Sequence, residues 1–328
     1  MRGVRRALEL VLSDADKRKK VNKILSFEEF NETLAEKESN VASSHERNPD
    51  NETFHRYCKW HDLPVDHEGF LAVKEKEILT DLETQAYSFE ASPHLSLSTM
   101  ELYERFKAKF ILLIRRPDRV VTSFAHKGFY RYPYRVSDTD LATGYQNQGH
   151  EKLHNFFARV APRGIFFEEW NAMSQIGRIA WFWKAWNERT LEILQMLPEE
   201  CFRIVRIEDL DYAKYVELSN FLGYRSTVTQ NDFEALQSSK PHAFWHKRNV
   251  DQWSGQEIQE FEGQVGELAE RLGYEYRIAN LTKAANEERA EAIRLGHIQQ
   301  RKKAQHFWRL RKTAANWLYK VSKALNPA

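Results

Sequence analysis

Ala108-Lys-Phe-Ile-Leu-Leu-Ile-Arg-Arg-Pro-Asp-Arg-Val-Val-Thr-Ser-Phe124 joins a short apolar run to two arginines and a proline. The run from Phe110 to Ile114 has the length and continuous apolarity of a strand buried on both faces. Pro117 stands where a helix begins, because the first helical residue needs no N–H. Val120, Val121 and Phe124 continue as the apolar side of that helix. A strand that delivers Arg115 to a helix N-terminus makes an anion site from free amides, the helix dipole and a fixed guanidinium. Arg119 and Ser123 lie one helical turn apart, so the serine hydroxyl can face the same pocket. The stretch predicts a strand–turn–helix unit that grips a phosphate.

Outward from this unit the pattern alternates. Phe70 to Val73, Ala86 to Phe89 and Phe202 to Ile207 read as strands. Arg5 to Ser13, Leu97 to Phe106, Asp140 to Val160, Gln175 to Leu197, Tyr215 to Leu222 and Gln256 to Leu272 read as helices, the last two closed by Gly223 and Gly273. Strands alternating with helices predict an α/β fold, a three-layer sandwich with a central parallel sheet. Residues 35–66 read as an insertion or loop region, its 35–52 part polar and turn-rich. The division expected is a domain over 1–278 and a tail over 279–328.

The 328 residues suffice for a full core. With 49 basic and 47 acidic residues the net charge is +2, so no global field points to nucleic acid. Cys58 and Cys201 do not suggest a disulfide framework. No membrane-spanning run or signal peptide is evident, and the expectation is a soluble, cytoplasmic protein. His55-x-x-Cys58-x-x-His61, with Asp66 and His67 nearby, lacks the second pair that a structural zinc pattern needs, so no metal is expected. From Thr282 to Leu325 the chain carries eleven Lys or Arg against three Glu, with Phe307, Trp308, Leu310, Trp317, Leu318 and Val321 at helical spacing. Such a basic amphipathic helix suits peripheral contact with an anionic membrane, docking on a partner protein, or packing on its own domain.

Four segments together resemble the sulfotransferase family. Arg115-Arg-Pro-Asp-Arg-Val-Val-Thr-Ser123 resembles its 3′-phosphate-binding signature, an arginine ending a strand with a serine eight residues on. Trp183-Lys-Ala-Trp-Asn187 is similar to its tryptophan-rich helix. Leu197-Pro-Glu-Glu-Cys-Phe-Arg-Ile-Val-Arg-Ile-Glu-Asp-Leu210, followed by Phe221-Leu-Gly-Tyr224, resembles the strand and helix after it. Lys247-Arg-Asn-Val-Asp-Gln-Trp253 resembles the late basic loop that closes over the nucleotide. The likeness covers roughly residues 68 to 275, and four motifs in register are fairly specific.

The resemblance implies a P-loop-like α/β fold that moves a sulfuryl group from 3′-phosphoadenosine 5′-phosphosulfate to a hydroxyl, with a carbohydrate, glycolipid or other small molecule as acceptor and no metal. It implies that Arg115, Ser123, Lys247 and Arg248 hold the 3′-phosphate. His94 stands twenty-one residues before Arg115, near the spacing of the catalytic histidine in one branch of the family. Glu90 is its rival as base, because Glu-x-Ser-Pro resembles a segment of the carbohydrate-modifying branch. A neutral-range histidine suits that role directly, whereas a carboxylate needs its pKa raised. The other reading makes both of them loop residues capping the Leu97 helix. Tyr130, Tyr132, Tyr134 and Trp170 are candidates for lining the acceptor pocket, and the cluster Trp181, Phe182, Trp183 and Trp186 for core. The family's Gly-rich 5′-phosphosulfate loop is where the chain departs. No Gly-Lys-[Ser/Thr] occurs, and Met1-Arg-Gly-Val-Arg-Arg matches only the end of that loop, with Arg2 and Gly3 its remaining residues. The alternative is a degenerate member of the same fold that binds the nucleotide without transferring from it.

Overall fold

The structure, a computed structural model, describes residues 38–133, 160–239 and 250–283. The helices expected over Arg5–Ser13 and Asp140–Val160, and nearly all of the basic tail, lie outside them. The chain divides into two compact units, Met1–Tyr276 and Arg277–Ala328. Among the described residues, no helix is long and apolar enough to cross a membrane.

The first unit is mixed α/β and mostly helical. Its elements run β1 (Val41–His45), α1 (Pro49–Trp60), α2 (His67–Leu82), β2 (Tyr87–Ala91), a 3₁₀ segment (Pro93–Ser98), α3 (Thr99–Phe106), β3 (Phe110–Ile114) and α4 (Pro117–His126). After the gap come α5 (Phe166–Ala172), α6 (Gln175–Leu194), β4 (Phe202–Arg206), α7 (Tyr212–Leu222), α8 (Gln230–Ser239) and α9 (Gly255–Arg271). Two parallel two-stranded ladders form, β1 with β2 (Val41 opposite Tyr87) and β3 with β4 (Phe110 opposite Phe202). Parallel pairing needs a crossover, and α1–α2 and α4–α6 supply the two crossovers. Within these residues the strands form two ladders rather than one central sheet.

The opening stretch folds as read. Phe110–Ile114 is β3, and α4 starts with Pro117 in its first turn. Ile114 and Val121 are buried, but Phe110 to Leu113 are only half-buried, and among the described residues β3 pairs on one edge alone. Gly223 and Gly273 close α7 and α9 at φ +101° and +71°, backbone that a side chain would strain.

Two expectations are corrected. The region read as a loop over 35–66 holds β1 and α1 in its described part, 38–66. Phe70–Val73 is not a strand but the first turns of α2. Polarity misled in the first case because α1 turns Glu52, His55 and Arg56 inward, where each finds a polar partner. His55 Nδ1 lies 2.9 Å from Ser98 Oγ and its Nε2 3.0 Å from His67 Nδ1. Arg56 donates to Pro93 O. In α2 the buried residues Phe70, Leu71 and Lys74 follow helical spacing, and Phe70 packs with Leu71 and Leu102.

The aromatic residues of α6 build much of the core. Trp186 stacks on Trp60 of α1 (5.3 Å between ring centroids), and Phe182 meets Phe124 of α4 (6.0 Å). Tyr130 and Trp170, expected to line an acceptor pocket, are core residues instead, at 0 % and 2 % exposure. The Tyr130 hydroxyl donates to Val160 O at 2.6 Å, which satisfies its polar end and permits burial. Tyr132 is exposed, and Tyr134 lies outside the described residues.

Glu38, 3 % exposed, ties the chain before β1 to the loop after α7. Its carboxylate accepts from Ser226 Oγ, from Thr227 N and Oγ1, and from the Tyr215 hydroxyl. Replacing Glu38 by alanine strands these donors, and denaturant unfolding will register a loss on the order of 3 kcal/mol. Burial also holds His55 and His61 neutral, pulling them down to about 4 and about 3; the charge of Arg163 adds to this for His61, while Glu101 opposes it for His55. Unfolded histidines protonate near pH 6.5, so the stability these two give is complete above that and is lost as pH falls toward 4 and then 3. Over pH 6 to 4.5, each His→Gln replacement that folds will flatten the dependence of unfolding free energy on pH by about 1.4 kcal/mol per unit.

Candidate functional site

The carboxyl ends of parallel strands are where open α/β sheets bind ligands. Two such ends carry the expected residues.

At the end of β3, Trp183 Nε1 donates to Arg115 O at 3.0 Å, fixing the strand's last turn against α6. The Tyr274 hydroxyl sits between Ile114 O (2.7 Å) and Glu208 Oε2 (3.0 Å). Glu208 Oε1 accepts from Arg116 N at 3.0 Å. The reading of free amides at the start of α4 is narrowed here, because a carboxylate already takes the Arg116 amide. Pro117 has no N–H, and the amides of Arg119 and Val120 donate to Arg116 O. The Asp118 amide has no hydrogen-bond partner among the described residues. Arg116 folds back onto Asp118 at 2.6 Å, and Arg119, half exposed, lies 3.7 Å from the same carboxylate. Arg115 is half-buried. Burial pulls its pKa below the ordinary arginine value while the charge of Glu208 opposes, and a guanidinium stays cationic throughout. Ser123 is half-buried on the same strand–helix unit; its carbonyl accepts from Lys127 N, and its hydroxyl has no hydrogen-bond partner among the described residues.

At the end of β2 the structure brings Glu90 and His94 into one polar cluster. Ser92 caps the 3₁₀ segment by accepting from His94 N at 3.2 Å. His94 Nε2 lies 3.2 Å from Glu46 Oε1 just beyond β1. Burial, with Arg56 nearby, pulls His94 below the usual histidine range despite Glu46. In its neutral form Nε2 carries the proton toward Glu46, which leaves the lone pair on Nδ1. Nδ1 is buried with no hydrogen-bond partner. As a base, His94 points its lone pair into the protein.

Glu90 is placed differently. Its oxygens accept from Lys74 Nζ (3.1 and 2.9 Å) and from Arg47 N (3.1 Å), and its side chain keeps 16 % exposure. Burial and the neighbouring charge of Glu52 push it up to about 7, with Lys74 opposing. That is the range in which a carboxylate can exchange a proton at neutral pH.

Helix α6 is a wall common to both ends, packing on α4 and on the 3₁₀ segment. The Arg56 guanidinium lies 4.6 Å from the Trp186 ring centroid, which ties α1 to the same helix. Arg2, Gly3, Lys247 and Arg248 lie outside the described residues. Sequence reading missed Glu46, Glu52, Lys74 and Tyr274. Glu208 had a signal inside the Glu-Asp-Leu segment, and Tyr274 one as the end of Leu272-Gly-Tyr274 after the last helix, but neither signal gave the bonds these residues make. Among the described residues, no three His, Cys, Asp or Glu side chains are grouped to hold a metal ion. Comparison with known proteins finds no matching family model, no similar curated protein and no similar solved structure.

Proposed function

We propose that this chain transfers a sulfuryl group from 3′-phosphoadenosine 5′-phosphosulfate to a hydroxyl, on a carbohydrate or glycolipid acceptor. One observation carries the reading. An arginine at the end of a parallel strand precedes a helix with a partner-free serine hydroxyl, while the end of another parallel strand bears a carboxylate poised near neutrality. In this reading the two ladders belong to one central parallel sheet of a three-layer sandwich.

The residues present suit a phosphate held by side chains. Arg115 supplies a cation partly withdrawn from water and Ser123 a donor, and a charge-assisted hydrogen bond contributes about 1.5–3 kcal/mol. Lys247 and Arg248 would add charge from the late loop, and Arg2 and Gly3 would approach the 5′-phosphosulfate. The bound nucleotide would supply an activated sulfuryl group on a phosphate leaving group. Glu90 would take the acceptor's proton as that hydroxyl oxygen forms its bond to sulfur and the phosphate departs. Glu90 is preferred to His94 because its side chain keeps some exposure, whereas Nδ1 of His94 is buried. This chemistry needs no metal.

The clamp of Lys74 on both oxygens of Glu90 favours a second reading, nucleotide binding without transfer. Calorimetric titration with the desulfated nucleotide, run beside a sulfate-transfer assay, separates them. Arg115→Ala will weaken binding by about ten- to a hundred-fold. Glu90→Gln will keep binding and lower transfer by about a hundred-fold or more. Unchanged affinity in Arg115→Ala refutes the phosphate assignment, and binding with no turnover by the unaltered chain selects the second reading.

A further inference from the structure

Glu52 is fully buried on α1, and Lys74 on α2 is 3 % exposed. Lys74 Nζ contacts Glu52 Oε1 at 2.5 Å, Glu77 Oε2 at 2.9 Å and both oxygens of Glu90. One ammonium therefore faces three carboxylates. Glu52 is held still, accepting from Asn48 N at 3.1 Å and from Ser92 Oγ at 2.7 Å. Arg47, whose guanidinium bonds Asp81 and the Glu77 carbonyl, donates its amide to Glu90.

Two carboxylates brought to one ammonium out of reach of water cannot both stay charged cheaply. Glu52 has the stronger claim to its charge, with Lys74, Ser92 and the Asn48 amide all donating to it. Glu90 has fewer donors, so its proton affinity is the one raised, although its slight exposure works the other way.

We propose that Glu52 and Lys74 are positioning residues for Glu90: Lys74 fixes the Glu90 carboxylate at the end of β2, and the charge of Glu52 raises its affinity for a proton. The proposal rests on Glu90 as the base but concerns the state of the cluster, which is measurable without turnover. The charged and titratable groups around Glu90 are Glu52 from α1, Lys74, Glu77 and Asp81 from α2, Glu46 and Arg47 beyond β1, and His94 from the 3₁₀ segment. Burial supports the same direction, as does the charge of Glu52.

The test is carbon-detected NMR of the full chain labelled at glutamate side-chain carboxyls, titrated from pH 4 to 9. One glutamate resonance will titrate near neutrality, and it will be absent in Glu90→Gln. In Glu52→Gln its midpoint will fall by about one unit or more toward the ordinary value, and in Lys74→Met it will rise. An unchanged midpoint in folded Glu52→Gln overturns the proposal. The unaltered protein is decisive even if both variants fail to fold, because absence of any glutamate titrating between about pH 6 and 8 also overturns it. Sulfate transfer in Glu90→Gln is read separately. If the resonance behaves as expected and transfer persists, the cluster stands and the catalytic role of Glu90 falls. If transfer is lost but no neutral-range glutamate exists, the cluster falls alone.

Discussion

The buried ammonium of Lys74 joins three elements that are distant in sequence. It reaches from α2 to Glu52 on α1 and to Glu90 on β2. A cation at this depth is tolerable only with its carboxylates present, and removing one partner from such a pair typically costs about 3–5 kcal/mol. The dependence runs both ways, since Glu52 and Glu90 could not stay buried in charged form without the cation. The ladder of β1 and β2 is short, five residues a strand, and a two-stranded ladder is marginal alone. Polar ties of this kind, with the Arg47–Asp81 and Ser88–Asp81 contacts beside them, secure the ladder to α2.

The second ladder is secured by different means. Apolar contacts of Val205, Leu210, Tyr215, Leu218 and Phe233 cover it, with Ile111 and Leu113 packed against them. At its carboxyl end the polar links are few and directed: the Trp183 indole on the Arg115 carbonyl, and Tyr274 between Ile114 O and Glu208. These hold the backbone around Arg115 without using its guanidinium. Glu208 has a double effect. It occupies the Arg116 amide, removing part of the helix-terminus anion site, and it sets a negative charge near Arg115 that favours the charged form. The Asp118 amide is what remains of that helix-terminus site.

How much was legible follows from the range of each interaction. Phe110 to Ser123 could be read because strand, proline and helix are decided within the segment itself. The glycine closures of α7 and α9 are equally local. The buried side of α1 could not be read, because Glu52, His55 and Arg56 look like surface residues until α2 and the 3₁₀ segment supply their partners. Phe70–Val73 has strand-like apolarity, and only the wider spacing of Phe70, Leu71 and Lys74 marks it as helix. Tyr130 looked like a surface ring in an aromatic loop until Val160 provided the carbonyl that lets its hydroxyl be buried. Glu90 and His94 were identified as a pair, but the choice between them depends on neighbours 38 to 48 residues away, Glu46 and Glu52.

That choice has a physical basis in what burial does to each group. Burial disfavours the charged form of both, but the charged form is the proton-bearing state of histidine and the proton-free state of a carboxylate. The same dry environment lowers the proton affinity of His94 and raises that of Glu90. His94 then becomes a weaker base with its lone pair enclosed and its other nitrogen on Glu46. Glu90 becomes a stronger base than an exposed glutamate while remaining at the strand's end, beside water. A histidine would be the better base in an open, wet site; in this enclosed one the carboxylate is better matched to neutral pH.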